Sequence, residues 1–354
     1  MPYKVAVLID DASCTSPLAH EAKLNICDAL ELAGHEPVLF EANSQLTAML
    51  RHERPDAALN ATSGKSAVDG SIQSLMDLLG IPCIGSSASI LRQACDKSAL
   101  PTMLRRFQFG EYGDADFVLG VRIPKSVYEG LGASQALDLI AHRIPAGYPL
   151  VVRAGHQGTN VKPIKVDDPA QLGVALAIVY DTDHDALVEE WVDGVHLAVG
   201  VLGHGPEAFA LPPVELTFDE DGTTVATHAP VRMESLSGDE ANAQGIRSEI
   251  ERAALEVHRA YSARDLSCID IIWDGASARV LEINLAPSLA PLIGLYPLVR
   301  YGWYQPEGTA QRAHRASDCS RITSGGASCT VLRSWLTGCT GSAEKTRASA
   351  SSRA

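Results

Sequence analysis

The sequence predicts an α/β protein of two or three packed units, on three observations. The chain has 354 residues, too many for one small core at about 100 to 200 residues per domain. From Lys4 to Ile84 short apolar runs alternate with helical spacing. Beyond them, further strand-like runs gather around one long helical segment, Ala241 to Ala260.

Lys4 to Ile9 is an apolar run ending in Asp10-Asp11, and Leu18 to Ala33 carries helical spacing stopped by Gly34, as a C-cap requires. Glu36 to Glu41 reads as a second strand and Asp56 to Asn60 as a third. Ser71 to Leu79 reads as a helix closed by Gly80 ahead of Ile81-Pro-Cys-Ile84. Strands alternating with helices imply parallel pairing and right-handed crossovers.

After Gly85 the pattern becomes helix-rich through Phe107, followed by the apolar stretch Phe117 to Val121 and a helix around Ser134 to Arg143. Tyr148 to Arg153 and Val161 to Val166 read as a hairpin whose tip is the small, glycine-bearing segment Ala154 to Asn160. Ala186 to Val192, His196 to Leu202, Ser267 to Trp273 and Ala278 to Ile283 read as strands, the last two paired through Asp274-Gly275. From Tyr301 onward the chain holds nine Ser and seven Lys or Arg against three Asp or Glu, without a core pattern, and is expected to be disordered or atypical.

Hydrophobic residues make up 46% and charged residues 20%, the balance of a globular protein. A net charge of −14 argues against a nucleic-acid surface, which needs clustered Lys and Arg. No apolar run is long enough to span a membrane, and Met1-Pro2-Tyr3-Lys4 leads directly into a strand without a signal-peptide pattern. A cytoplasmic protein is expected. Its cysteines include no Cys-x-x-Cys pair, so free thiols are expected rather than a zinc site.

The strongest constellation is Asp270 with Glu282 and Asn284 on the two paired runs near the end. Alternation puts Glu282 and Asn284 on one face, and hairpin pairing brings Asp270 beside them. Oxygen donors so placed suit magnesium, which takes one or two carboxylates and leaves other positions to water and phosphate. The same pattern also fits a solvated hairpin face whose reverse, Ile269, Ile271, Leu281 and Ile283, is core.

The continuation Glu282-Ile-Asn-Leu-Ala-Pro287 resembles the Glu-hydrophobic-Asn-x-x-Pro segment of ATP-grasp enzymes. Lys4-Val-Ala-Val-Leu8 resembles the first strand of the D-alanine–D-alanine ligases. Asp69-Gly-Ser-Ile-Gln73 and Gly80-Ile-Pro-Cys-Ile-Gly-Ser86 resemble two of their segments, and Asp96-Lys97 sits where they carry Asp-Lys. Val151-Val-Arg153 stands in the place of their Val-Lys, Gly158-Thr-Asn160 in that of their Gly-Ser-Ser, and Val188-Glu-Glu-Trp-Val192 in that of their adenine strand. The likeness runs in order from about residue 3 to 298.

This resemblance implies an ATP-grasp architecture: an amino-terminal parallel-sheet domain at residues 1–88, a central small domain at 89–185 and a carboxy-terminal domain at 186–300 clamping ATP, with 301–354 as a tail. It implies that Lys97 and Arg153 contact ATP phosphates, Arg153 departing from the usual Lys, and that His156 to Asn160 close over the triphosphate. Gly158, Thr159 and Asn160 are then ATP-binding, Arg153 and Thr159 catalytic, Glu189, Glu190 and Val192 walls of the adenine slot, and Asp270, Glu282 and Asn284 the ligands of magnesium or manganese. His196 stands where the family has a ribose-binding Glu, and equally fits a strand-surface residue.

The pattern breaks on the substrate side. The family's amino-terminal Glu aligns with Thr15 or Ser16, the His and Glu of its His-Gly-x-x-Gly-Glu-Asp-Gly loop with Ser63 and Val68, its oxyanion Arg with Cys268, and a Gly with Ser288. Lys65 or Arg232 could restore positive charge. The resemblance therefore implies an ATP-dependent carboxylate–amine ligase acting through an acylphosphate on amino-acid-like substrates, with a rebuilt pocket and a homodimer as a common assembly. The alternatives are a true D-alanine–D-alanine ligase and an ATP-binding sensor without turnover.

Overall fold

Val5, Ala6, Val7 and Leu8 are fully buried because β1 (Lys4–Ile9) is the inner strand of a parallel sheet covered on both faces. The computed structural model describes residues 2–10, 17–62, 64–108, 116–156, 162–218, 224–230, 236 and 240–287. The tail expected to be disordered lies outside them.

In this first sheet β2 (Glu36–Glu41), β1, β3 (Ala57–Asn60) and β4 (Cys83–Ile84) follow one another in space, all parallel. The crossovers are α1 (Pro17–Leu32), α2 (Leu46–Glu53), then α3 (Lys65–Val68) with α4 (Ser71–Leu79). Gly34 and Gly80 adopt positive φ after α1 and α4, the C-cap role read from the sequence. Helix α5 (Ala88–Cys95), a turn of 3-10 helix at Lys97–Ala99 and α6 (Leu100–Gln108) follow.

Strands β5 (Asp116–Phe117) and β6 (Gly120–Pro124) lead into α7 (Lys125–Arg143), which is broken at Gly132 by a positive φ. A second, antiparallel sheet orders β6, β9 (Asp185–Glu190), β7 (Leu150–Ala154) and β8 (Ile164–Val166), so the expected hairpin is β7–β8. Helix α8 (Pro169–Tyr180) covers it, with Asp168 accepting from the amides of Ala170 and Gln171 as N-cap. The core of this unit joins Ile123, Ile140, Leu150, Val152, Leu176 and Val188.

The third sheet contains β10 (Val195–Leu202), β11 (Phe209–Ala210), β12 (Val214–Phe218), β13 (Thr224–Pro230), β14 (Leu266–Trp273) and β15 (Ala278–Asn284), with β5 parallel to β15 at its edge. Helix α9 (Glu240–Ala260) packs Ile250, Ala254 and Val257 on one face together with Leu91 and Leu104. The opposite face shares a core with the first sheet: Val5, Val7, Leu59 and Ile84 meet Ala198, Leu202, Leu266 and Cys268. By pairing, β9 lies with the second sheet, and α5, α6 and β5 with the third. Among the described residues no helix is long and apolar enough to cross a membrane, and Cys27, Cys83, Cys95 and Cys268 are free thiols.

One expectation is corrected. Leu281 does not share the core of Ile283, because β15 bulges there: Asp270 pairs with Glu282 and Ile271 with Val280, leaving Leu281 as the extra residue. It is half-buried. The bulge resets the alternation, so Arg279 and Glu282 fall on the same face of the sheet.

Candidate functional site

Antiparallel pairing aligns Ala198, Asp270 and Glu282 in one row across β10, β14 and β15, and Gly200, Cys268 and Asn284 in the next. Directly opposed residues project to the same side. Asp270, Glu282 and Asn284 thus share one face and are half-buried, and cations from two other elements cover Glu282, which a freely solvated hairpin face would not show.

Glu282 meets cations from two other elements. Lys97, at the start of the 3-10 turn after α5, places Nζ 3.1 Å from its Oε2. Arg153 on β7 donates from Nη1 to the same Oε2 at 2.6 Å. Arg153 also donates from Nε and Nη2 to the two oxygens of Glu189 at 2.6 and 3.0 Å, and from Nη2 to the Leu281 carbonyl at 3.4 Å. The pairing explains this meeting: Arg153 opposes Leu187 on β9, so Glu189, two residues on, lies diagonal to it on the same face.

The electrostatics split the carboxylates. Burial alone would raise Glu282, but Lys97 and Arg153 hold it down at about 2. Burial first, then the Glu282 charge, push Asp270 up to about 7. Asp270 makes no ion pair among the described residues. Cys268, where an arginine was expected from the resemblance, is a buried thiol pushed upward by burial and by Asp270.

The loop predicted to close over phosphate leaves β7 at a stem tied to Lys97. The Lys97 amide donates to the Gly155 carbonyl at 2.9 Å, and Asp96 bridges His156. Gly158, Thr159 and Asn160 lie outside the described residues, as do Thr15, Ser16, Ser63, Arg232 and Ser288. His156, Asp183 and Asp185 bring ligand atoms within 4.8 Å of one another. Internal bonds account for that cluster: Asp183 accepts from the His156 and Asp185 amides and from His156 Nδ1, and Arg122 lies 3.4 Å from Asp185.

Other predicted residues stand apart from the charge cluster. The Glu190 side chain turns to Arg279 on β15 and accepts from the Leu119 amide at 2.8 Å. Val192 is half-buried just after β9, and His196 on β10 opposes Ile272. Burial lowers the imidazole of His196. Sequence reasoning missed Arg279, whose guanidinium also reaches Asp116 and the Phe117 carbonyl and so ties β5, β9 and β15 together. Its signal was slight: one basic residue on a strand otherwise rich in apolar side chains.

Val68 is buried with Ala67 and Cys95, and Ala286 packs on them. Lys65 at the head of α3 is exposed.

Comparison with known proteins finds relatives among the D-alanine–D-alanine ligases. The family model described as D-ala D-ala ligase C-terminus matches residues 134–301. A D-alanine–D-alanine ligase of Desulforudis audaxviator is 27% identical over 304 residues, covering 84% of this chain and 92% of that one. Its counterpart from Xanthomonas axonopodis pv. citri is 28% identical over 295 residues, covering 81% and 86%. Among solved structures, the Bacillus anthracis D-alanine–D-alanine ligase complexed with ATP superposes with a TM-score of 0.62 at 19% identity, over 82% of this chain and 87% of that one.

Proposed function

We propose that this chain, an ATP-dependent carbon–nitrogen ligase of the ATP-grasp group related to the D-alanine–D-alanine ligases, joins an amino-acid-like carboxylate to an amine through an acylphosphate, in a pocket unlike that of its relatives. One observation carries the chemistry. Two cations from separate elements converge on Glu282, whose neighbours Asp270 and Asn284 offer further oxygens.

The donor set fits magnesium: all ligands are oxygens, and Asp270 is a half-buried carboxyl with no salt bridge among the described residues. Asp270, Glu282 and Asn284 would hold the ion. When bound, it offsets charge on the transferring phosphoryl group. Lys97 contributes a second positive charge at the same place and orients the γ-phosphate toward the attacking carboxylate. Backbone groups of Glu189, Glu190 and Val192 line the adenine slot, and His196 faces the ribose. The segment from His156 to Asn160, tethered at Gly155 to Lys97, closes over the triphosphate and keeps water from the acylphosphate.

The altered pocket is supported by two positions. Val68 supplies an apolar contact where the resembled ligases carry Glu, and Cys268 supplies a neutral thiol where they carry Arg. Where the relatives' amino-terminal Glu aligns with Thr15 or Ser16, an ammonium desolvated without a carboxylate would bind weakly. Losing an oxyanion donor removes on the order of 3 kcal/mol of transition-state stabilisation.

The test is ADP release from the purified protein across amino acids of both chiralities, with products read by mass spectrometry. Magnesium-dependent ADP formation with an amide product is expected, and D-alanine alone should yield little dipeptide. Efficient D-alanyl-D-alanine synthesis would restore the relatives' named activity, and nucleotide binding without turnover on any pair would reject the ligase reading. A homodimer in the cytoplasm is the matching assembly, testable by sedimentation and fractionation.

A further inference from the structure

We infer that Arg153 is a positioning residue, which grips one carboxylate oxygen of Glu282 and leaves the other for a divalent cation, and that it does not itself bind nucleotide phosphate. The inference rests on the ligase reading above and assigns a different task to the residue that stands where related chains carry Lys.

The guanidinium is already committed. Nε and Nη2 form a fork on Glu189, Nη1 reaches Glu282, and Nη2 also lies 3.4 Å from the Leu281 carbonyl. The residue is only 6% exposed. Both cations, Arg153 and Lys97, converge on Oε2 of Glu282, and Oε1 takes no hydrogen bond among the described residues.

A planar fork can span two carboxylates at fixed angles, whereas a lysine is a point charge on a flexible stem that cannot. The contact with Leu281 adds a second hold, because Leu281 is the bulged residue that sets the facing of Glu282. Glu189 then serves as the anchor. Its side chain is buried on β9, and its task is to fix Arg153 against the second sheet while Arg153 fixes Glu282 on the third.

Partners that orient a metal ligand are typically worth about 10- to 100-fold in metal affinity. The probes are Mn2+ measured by electron paramagnetic resonance in the presence of the non-hydrolysable analogue AMP-PCP, and AMP-PCP alone measured by calorimetry in EDTA. Arg153→Lys should weaken Mn2+ binding by about 10-fold or more while metal-free AMP-PCP affinity stays within about threefold. Glu189→Gln, which keeps Arg153 and loosens its anchor, should move Mn2+ binding the same way by less, and it decides the matter if Arg153→Lys does not fold. Unchanged Mn2+ binding in both variants overturns the inference. So does a tenfold loss of metal-free AMP-PCP binding, which would make Arg153 a phosphate ligand after all. Both probes bypass turnover: a wild-type protein that binds Mn2+ and AMP-PCP but forms no ADP would sink the ligase reading and leave this test intact.

Discussion

Replacing Asp270 with Asn should stabilise the metal-free protein while abolishing magnesium-dependent ADP formation. Asp270 is half-buried beside Glu282, and its carboxyl is pushed from 3.8 to about 7. Between those values the folded state binds the proton and the unfolded chain does not, so folding stability falls as pH rises from about 4 to about 7 and is flat above. At about 1.4 kcal/mol per unit, a shift of roughly three units sets a ceiling of about 4 kcal/mol. Coupling to Glu282 and the buried amide of the replacement reduce this, and a gain of about 1 to 3 kcal/mol at pH 8 is expected. Urea denaturation in EDTA at pH 4, 6 and 8 measures it. The variant and the wild type should coincide at pH 4 and separate as pH rises. A variant no more stable than wild type at pH 8 would refute the claim that Asp270 is held in a site unfavourable to its own charge.

Three further outcomes are expected. His258, buried between Ser267 Oγ at 2.7 Å and the Gly203 carbonyl at 3.2 Å, is lowered by burial to about 4; its contribution is whole above about pH 6.5 and about 3 kcal/mol of it is lost as pH falls to about 4. His258→Asn should flatten that window in denaturation curves, and an unchanged pH profile would count against it. A Cβ at Gly120 would lie 2.9 Å from Glu189 Cγ, so Gly120→Ala should displace Glu189, cost about 1 to 3 kcal/mol and raise the magnesium concentration needed for half-maximal ADP release. Deleting residues 307–354, which lie outside the described residues, should leave the melting temperature and nucleotide binding unchanged.

Where periodicity was unambiguous, the sequence was a good guide. β1 and β2 end where the apolar runs end, and α4 ends at Gly80. It failed for α8, apolar on every side, although Asp168-Pro169 is a helix-start signal that could have revealed it. It also missed β11, β12 and β13, of which the first two pair with β10 and the third with β12. In the site, Asp270, Glu282 and Asn284 were legible because a hairpin brings them together over a few residues. The grip of Arg153 on Glu282 was not, since it joins residues 129 apart. The bulge at Leu281 was equally hidden, because nothing in Ala278 to Asn284 marks an extra residue.

The charge count of the cluster connects its stability to its use. Glu189, Glu282 and Asp270 face Arg153 and Lys97, so with every group ionised one negative charge is left over in a largely enclosed cluster. Burial and the Glu282 charge push the Asp270 carboxyl up, because Asp270 has no salt bridge among the described residues, whereas Lys97 and Arg153 hold Glu282 down. A divalent cation held on these oxygens, as proposed, would compete with a proton on Asp270, so its binding would tighten as pH rises. Arg153 and Lys97 keep Glu282 ionised throughout. In the proposed site Glu282 would then meet the ion as a carboxylate, and Asp270 would be the group whose proton the ion displaces.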